Sequence, residues 1–333
     1  MGSTEIRNVR RARKAAWPEP PRKSFDAVCE PADVARARRR SLRTSVASSP
    51  EELLRVAAET AREAGRLIRE RYAVPRTIGT KSATVDLVTD TDRAAERLVM
   101  ARLARAFPGH ARLGEESGFV RGEAADGERI CWVVDPLDGT TNFAHGVPHF
   151  AVSIAAVRLP DDVADPSDAA SFPARRAMPV AAAVYDPMRD ELFTAATDSL
   201  ATCNGAPISV SATPELDAAL VATGFPYDRR ERAEFYLSFW RRMLVATRDI
   251  RRIGAAALDL AWVACGRLDG FWEWNLHPWD VAAGSLIVRQ AGGRVTDFLG
   301  DEPGVEARQT LASNGRIHEQ LLREMRELVA RTP

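Results

Sequence analysis

The residues best suited to chemistry in this chain are acidic side chains that follow apolar runs or precede helical patterns. Carboxylate oxygens are the ligands that hard divalent cations such as Mg²⁺ prefer. Acidic groups crowded into one site repel each other unless a cation lies between them. Their positions therefore predict a divalent-cation site, provided that the fold brings them together. They are Asp86, Asp90, Asp92, Glu115, Glu116, Asp135, Asp138 and Asp280.

The segment from Asp135 to Thr141 carries the most informative spacing. An apolar run precedes it, which predicts a strand that ends at Asp135, with the carboxylate emerging at the edge of the sheet. Leu137 can offer its carbonyl oxygen and Asp138 a second carboxylate. Gly139 permits close approach of the backbone, and a short helix beginning there would direct N–H groups towards an anion. The segment therefore predicts a site for metal-bound phosphate.

The cysteines and histidines do not support another catalytic chemistry. A cysteine phosphatase needs an arginine six positions after its cysteine, and none of the four cysteines has one. Their wide spacing, without a C-x-x-C pair, favours neither a zinc site nor a disulfide framework. We interpret the cysteines as free buried thiols in a reducing cytoplasm, and three of the histidines as structural residues or neighbours of the site. These residues are Cys29, Cys131, Cys203, Cys265, His145, His149 and His277.

An aspartyl-phosphate mechanism is also disfavoured. That chemistry uses Asp-x-Asp-Gly-Thr, but Pro136 stands two positions before Asp138. The pair Asp90 and Asp92 has the required spacing but leads into a predicted helix. No Gly-x-x-x-x-Gly-Lys-Ser/Thr run marks a nucleotide loop. A metal-activated water is the remaining route to phosphate hydrolysis.

Apolar periodicity predicts the elements that must position these acids. Ser49 followed by Pro50 and two acids is typical of a helix start. Residues 159–178 are predicted to form a surface loop. Long helices mixed with paired strands indicate a layered α+β fold. The other predicted helices cover about 93–107, 232–246, 255–265, 281–291 and 317–330. The predicted strands cover 130–134, 150–157, 180–185, 191–195, 219–223, 270–274, 294–297 and 310–312.

The composition is that of a globular protein with a basic extension. The 333 residues are 45% hydrophobic and 28% charged, with a formal net charge of zero. No stretch approaches the roughly 20 apolar residues of a membrane helix, and no secretory signal is recognisable, so we expect a cytoplasmic protein without membrane association. Residues 1–50 hold twelve Lys/Arg and five Asp/Glu. We therefore expect residues 1–48 to be a basic disordered tail that could contact nucleic acid, and residues 49–333 to be one catalytic domain.

Three motifs resemble the inositol monophosphatase family: Gly114-Glu-Glu-Ser117, Trp132 to Phe143, and Trp279-Asp-Val-Ala-Ala-Gly284. The match covers about residues 49–330. The resemblance implies a layered αβαβα sandwich, usually a homodimer, that hydrolyses small phosphate monoesters with two or three Mg²⁺ ions and is sensitive to lithium. Inositol 1-phosphate is the implied substrate.

The resemblance also implies a role for each matched residue. The implied metal ligands are Glu115, Asp135, the Leu137 carbonyl, Asp138 and Asp280. Glu115 and Thr140 would orient the attacking water, and Asp92 would hold Thr140. The implied substrate contacts are Asp138, Gly139, Thr140, Ala256, Glu273 and Asp280. Lys81, Ser82 and Ala83 match a mobile loop near the site.

Glu273 is the residue that we expect to determine substrate specificity. It lies seven positions before Asp280, and a turn between the two could bring both acids to one pocket. A carboxylate there can accept hydrogen bonds from neighbouring ring hydroxyls and would repel a second phosphate. The spacing therefore favours inositol 1-phosphate over fructose 1,6-bisphosphate.

Two alternatives remain open. The first is a broad sugar phosphatase, such as a fructose-1,6-bisphosphatase. The second belongs to another class: bacterial relatives can act as partners of the transcription machinery, and the basic tail makes an RNA-associated role possible here. The intact acidic motifs favour retained catalysis.

Overall fold

We describe the protein from a computed structural model. The structure describes residues 48–72, 78–80, 87–123, 129–163 and 166–330, and of residues 78–80, 87 and 88 only the backbone. Residues 1–47 of the predicted tail therefore lie outside the described residues. So do Asp86 and the loop formed by Lys81, Ser82 and Ala83.

Helices and strands are mixed along the described part of the chain. In chain order the elements are α1 (Pro50–Tyr72), β1 (Ile78–Thr80), β2 (Leu87–Thr89), α2 (Asp90–Ala106), β3 (Ala111–Gly114), β4 (Gly118–Val120), β5 (Ile130–Asp138), α3 (Thr140–Ala144), β6 (Ala151–Arg158), β7 (Met178–Asp186), β8 (Glu191–Ala196), β9 (Thr202–Cys203), β10 (Ala206–Pro207), β11 (Leu220–Thr223), α4 (Ala233–Ala246), β12 (Asp249–Arg251), α5 (Ala256–Ala264), β13 (Gly270–Trp274), α6 (Pro278–Gln290), β14 (Arg294–Thr296), β15 (Gln309–Ser313) and α7 (His318–Ala330). One turn of 3₁₀-helix, Leu216–Ala218, precedes β11.

The larger sheet has eight strands in the order β10-β9-β8-β7-β6-β5-β3-β4. Its neighbours are antiparallel except β3 and β5, which are parallel. The central strands β5, β6 and β7 are buried along nearly their whole length, because helices cover both faces of the sheet. On one face, α1 and α2 pack against β5, β6, β7 and β8.

The smaller sheet has five strands in the order β12-β11-β13-β15-β14. Helices α5 and α6 lie between the two sheets, and their buried residues share one core with both of them. Helices α4 and α7 cover the outer face of the smaller sheet, where Phe239, Met243, Leu321 and Met325 pack against its strands. The layers therefore run αβαβα, which confirms the predicted sandwich.

Two helices begin three residues earlier than the sequence predicts. Helix α2 begins at Asp90, because Thr89 and Asp92 form a capping box. Helix α6 begins at Pro278, and the Asp280 carboxylate accepts the His277 N–H at 2.6 Å. The prediction that Asp280 precedes its helix is therefore wrong: Asp280 lies in the first turn.

The prediction that the strand before the acidic motif ends at Asp135 is also wrong. Strand β5 continues to Asp138 and remains paired with β6. The pairing shifts between these two residues, since Asp135 faces Ser153 and Asp138 faces Ala151. This irregularity lets an acidic, proline-containing segment remain in the sheet.

The predictions for the cysteines and for membrane association can be compared with the described residues. Cys131 is buried and Cys203 and Cys265 are half-buried, and all three are free thiols. Cys29 lies outside the described residues. Among the helices that the structure describes, none has the length and apolar character needed to cross a membrane.

Candidate active site

Strand β5 places two carboxylates, Asp135 and Asp138, at one end of the larger sheet. Asp135 is only 2% exposed, and its Oδ1 accepts the Leu137 N–H at 2.9 Å. The pairing shift between Asp135 and Asp138 re-aims the side chains that follow it, as β-bulges commonly do. Both carboxylates consequently line the same cavity.

Glu115 reaches this cavity because β3 runs parallel to β5. Gly114 pairs with Val134 at the end of β3, and the Glu115 N–H donates to the Val134 carbonyl at 3.2 Å. The turn after β3 therefore lies beside the point where Asp135 follows Val134. Burial raises the pKa of Asp135 well above its usual range, and the neighbouring Glu115, Asp138 and Asp280 carboxyl groups raise it further.

Asp138 forms a contact that the sequence did not predict. Its Oδ2 accepts the Ala257 N–H at 2.7 Å, at the start of α5. Burial raises the pKa of Asp138 to about 7, although the N–H groups of α5 oppose that rise. No capping residue of its own marks the start of α5, so a distant strand caps this helix.

Asp280 approaches the same cavity from the smaller-sheet side, through the first turn of α6. The Ser153 hydroxyl of β6 donates to the Trp279 carbonyl at 3.1 Å, which ties this turn to the larger sheet. Burial raises the pKa of Asp280 well above its usual range, and Glu115 and Asp138 add to the rise. Four carboxyl groups from three parts of the chain thus repel one another at one place.

Thr140 and Asp92 are hydrogen-bonded to each other. The Thr140 Oγ1 lies 2.7 Å from Asp92 Oδ1 and 3.0 Å from the Leu137 carbonyl. Asp92 is fully buried, and its other oxygen accepts the Thr89 N–H at 2.9 Å. The hydroxyl is therefore held by an acid that does not itself line the cavity.

Gly139 connects β5 to the short helix α3. It adopts φ +92°, and a Cβ atom there would lie 3.0 Å from the His149 carbonyl. Both facts favour glycine, because other residues rarely adopt this conformation. The Asn142 side chain of α3 donates to the carbonyls of His149 and Ile253 at 2.8 and 2.9 Å. These bonds join α3 to the segment before β6 and to the segment after β12. The predicted short helix after Gly139 is confirmed.

Glu273 lies on β13 and is buried against Gly224. A Cβ atom at position 224 would be 2.0 Å from the Glu273 Oε1, so only glycine leaves room for this carboxyl group. Burial raises the pKa of Glu273 to about 8, while the positive charge of Arg252 opposes the rise. Ala256 begins α5 beside it and also lines the cavity.

One cavity of about 170 Å³ collects nearly all of the predicted site residues. Among the residues to which the resemblance gives a role, Asp92 alone does not line it, and of the other acids considered for the cation site Asp90 and Glu116 do not line it either. Within the residues that the structure describes, no three Asp, Glu, His or Cys side chains already surround a point where a metal ion could sit. The predicted residues that line the cavity are Glu115, Asp135, Leu137, Asp138, Gly139, Thr140, Ala256, Glu273 and Asp280.

Comparison with known proteins identifies the family. The sequence model of the inositol monophosphatase family matches residues 49–163 and 173–330 of this chain. The chain belongs to the inositol monophosphatase family. The Nus factor SuhB of Pseudomonas aeruginosa is 44% identical to it over 275 residues, which cover 81% of this chain and 94% of that protein. The inositol-1-monophosphatase of Synechocystis is 41% identical over 288 residues, which cover 86% and 92%.

A solved structure of this family agrees with the fold. The inositol monophosphatase from Anabaena has a TM-score of 0.70 at 38% identity, covering 83% of this chain and 96% of that chain. The family resemblance of the three acidic motifs is therefore confirmed. The roles of the individual site residues stay predictions.

Within this family fold, two residues near the cavity escaped the sequence reasoning. Gly224 directly follows β11, and its contact with Glu273 has no sequence signal. Asp259 is a buried acid in α5, and the charges of Glu273 and Asp138 help to raise its pKa well above the usual range, after burial itself. An acid inside the apolar run 256–264 was a signal that could have been recognised.

Proposed function

We propose that this protein is a Mg²⁺-dependent phosphatase that hydrolyses inositol 1-phosphate to inositol and phosphate. One observation carries the proposal: a single cavity is lined by the carboxyl groups of Glu115, Asp135, Asp138 and Asp280 and by the Thr140 turn. Membership of the inositol monophosphatase family supports a phosphatase. The name of the Synechocystis relative supports this substrate.

The residues of the cavity fit a hard divalent cation. The donors that face it are carboxyl oxygens together with the Leu137 carbonyl, so the set is oxygen-only. The raised pKa values of Asp135 and Asp280 reflect burial and mutual repulsion, which a divalent cation would relieve. When bound, Mg²⁺ would activate the attacking water and neutralise charge on the phosphate.

The protein groups around the phosphate would act by position. The N–H groups of Gly139 and Thr140 would hold phosphate oxygens. The Thr140 hydroxyl and the Glu115 carboxylate would orient the attacking water, and Asp92 keeps the hydroxyl in place through its hydrogen bond of 2.7 Å. Positioning and electrostatic stabilisation together account for most of the rate in phosphoryl transfer.

The alcohol part of the substrate would lie against the smaller-sheet side of the cavity. There Glu273 and the backbone at Ala256 face the same space as the acids. Glu273 would hydrogen-bond two neighbouring hydroxyls of the inositol ring. The pKa values of Glu273 and Asp138 would be lowered by a cation bound at the neighbouring acids, which would favour their ionised forms. A second phosphate at this place would then be repelled by both carboxylates.

Steady-state kinetics on a panel of phosphate monoesters tests the proposal. With millimolar Mg²⁺, kcat/KM for inositol 1-phosphate should exceed that for fructose 1,6-bisphosphate, and a chelator should abolish turnover. Lithium should inhibit. Full activity in metal-free buffer would contradict the metal requirement. Preference for the bisphosphate would instead favour a sugar phosphatase.

A second function, in transcription complexes, is supported by relatives that are named Nus factor SuhB. It would use protein or RNA contacts outside the catalytic cavity. RNA binding by the full chain and by a chain lacking residues 1–48 would show whether the tail takes part. An Asp135→Asn variant that keeps RNA binding while losing turnover would show that the two functions are separate. The predicted homodimer stays a prediction.

A further inference from the structure

The loop between β6 and β7 departs from the family. The family model leaves residues 164–172 of this chain unmatched. The end of this loop is nevertheless fastened to the body. Arg175 pairs with Glu306 at 2.9 Å, and the Val305 N–H donates to the Ala174 carbonyl at 2.8 Å. Within the loop itself, Arg176 pairs with Asp162 at 2.6 Å. Residues 170–176 therefore form a fixed wall.

This wall borders a second cavity of about 1020 Å³, which lies next to the acidic one and is widely open to solvent. Its remaining sides come from residues 226–231, 275–278 and 306–308. The two cavities share a border, because five residues line both of them. These shared residues are Pro226, Tyr227, Asn275, Leu276 and His277. A molecule bound at the acids can therefore extend across this border.

The volumes decide how much of a substrate each cavity can hold. Small-molecule pockets usually measure about 300–1,000 Å³, so the acidic cavity of about 170 Å³ leaves little room beyond a phosphate and one ring. The adjoining cavity lies at the upper end of that range. It is much larger than inositol 1-phosphate requires.

The lining of the second cavity favours a neutral, hydroxylated ring over a second phosphate. Tyr227 is 46% exposed there, and an aromatic face of this kind packs well against the C–H face of a sugar. Arg175 and Arg176 are already paired with acids. Within the described residues, Arg308 and Glu231 of the cavity lining form no ion pair. Their opposite charges cancel, so the cavity has no net positive charge that would attract an anion.

We propose that this second cavity is a subsite for a sugar ring attached to the polyol of the substrate. The substrate class is then a phosphate monoester of a glycosylated polyol, with the phosphate at the acids and the added ring against Tyr227 and the wall at Ala170. Hydrolysis still breaks the phosphate ester by water and releases phosphate and the two-ring alcohol. The proposal rests on the proposed function and names its substrate more closely.

Competition between two substrate types tests this subsite. Inositol 1-phosphate is compared with its mono-glucosyl derivatives, one for each free hydroxyl, in the full chain with Mg²⁺. At least one derivative should have a kcat/KM roughly tenfold above that of the parent. If the parent is hydrolysed and no derivative exceeds it, the subsite is overturned. If neither type is hydrolysed, the proposed function itself fails.

Two matched variants locate the effect. Ala170→Trp fills the cavity from an exposed position of the wall, and should lower the ratio of kcat/KM for derivative over parent by about fivefold or more. Ala169→Trp adds the same side chain at an exposed neighbour that does not line the cavity, and should leave the ratio unchanged. Arg308→Ala should lower the ratio by about threefold, since a hydrogen-bond donor is lost. An unchanged ratio in both Ala170→Trp and Arg308→Ala overturns the subsite.

Discussion

The larger and the smaller sheet hold their site residues in different ways. Glu115 directly follows β3, and Asp135 and Asp138 lie on β5, which is parallel to β3 and next to it. Glu273 and Asp280 come from a strand and a helix start on the other side of the cavity. The first group is fixed by strand pairing and, in the proposed function, would surround the phosphate. In the second group Asp280 would join these acids at the cation, whereas Glu273 would face the alcohol. We therefore expect catalysis to depend on the four acids and substrate choice on Glu273.

The largest effect should come from Asp135→Asn, which removes a charge from the larger-sheet group. We expect kcat to fall by about 10³-fold or more on every phosphate monoester, because stabilisation of charge in the transition state usually contributes most to catalysis. Melting temperature should not fall, since repulsion among the acids is relieved. Asp161→Asn, at an exposed position of a surface loop, is the matched control.

Asp280→Asn should also lower the rate by several orders of magnitude, because Asp280 is a predicted metal ligand although it lies on the smaller-sheet side. A loss as large as that of Asp135→Asn on all substrates would place this smaller-sheet acid with the catalytic group, as the family resemblance implies. A near-wild-type rate at saturating Mg²⁺ would remove Asp280 from the predicted metal ligands.

A smaller and more selective effect should follow Glu273→Gln. We expect kcat/KM for inositol 1-phosphate to fall roughly tenfold or more, because a charged hydrogen bond contributes about 1.5–3 kcal/mol. An aryl phosphate has no ring hydroxyls and should be affected much less. Equal losses on both substrates would show that Glu273 acts on the phosphate or on the fold instead of on the alcohol.

Gly224→Ala should reproduce part of the Glu273 effect through direct contact with that side chain. The added methyl group would collide with the Glu273 carboxyl group and displace it, so kcat/KM for inositol 1-phosphate should fall by about threefold to tenfold. In a Glu273→Ala background the space is free, and the same substitution should have little further effect. Additive losses in the double variant would show that Gly224 acts independently of Glu273.

His318, at the start of α7, should affect stability and have the smallest effect on activity. It is buried between the Thr296 and Ser313 hydroxyls at 3.0 and 2.8 Å, and burial lowers its pKa from 6.5 to about 4. The folded state thus favours neutral His318. Its contribution to stability is complete above pH 6.5 and is lost as the pH falls towards 4.

The free energy of unfolding, measured in urea at pH 7, 6 and 5, checks this sign. One proton contributes a slope of up to about 1.4 kcal/mol per pH unit, and His318→Gln should remove it. His145→Gln, at an exposed position, should keep the wild-type slope. Equal slopes in wild type and His318→Gln would contradict the prediction.

The long elements and the acidic motifs were predictable because their signals are local. Apolar periodicity over α1 and α4 and the apolar runs of β5 to β7 each lie in one stretch of sequence. The starts of α2 and α6 were placed too late, because Asp92 and Asp280 were interpreted as preceding their helices instead of capping them. The pairing shift that keeps Asp135 and Asp138 inside β5 has no local signal beyond Pro136.

The remaining features depend on contacts between distant segments. Strands β9, β10 and β12 have only two or three residues each, which is too few for a period to be recognised. The cap that Asp138 provides for α5 and the space that Gly224 leaves for Glu273 exist only after the two sheets have met. Sequence spacing can predict which residues are chemically suited to a site, but not which of them touch.

The hydrogen bond between Asp138 and the Ala257 N–H joins groups 119 positions apart in the chain. Closing a loop of that length costs conformational entropy before the contact stabilises anything, and such distant contacts slow folding. The carboxyl group can reach its place only after a strand of the larger sheet and a helix between the sheets have both formed. During refolding, enzymatic turnover should therefore return later than the helical signal in far-UV circular dichroism. The rate at which turnover recovers would measure the last step of folding.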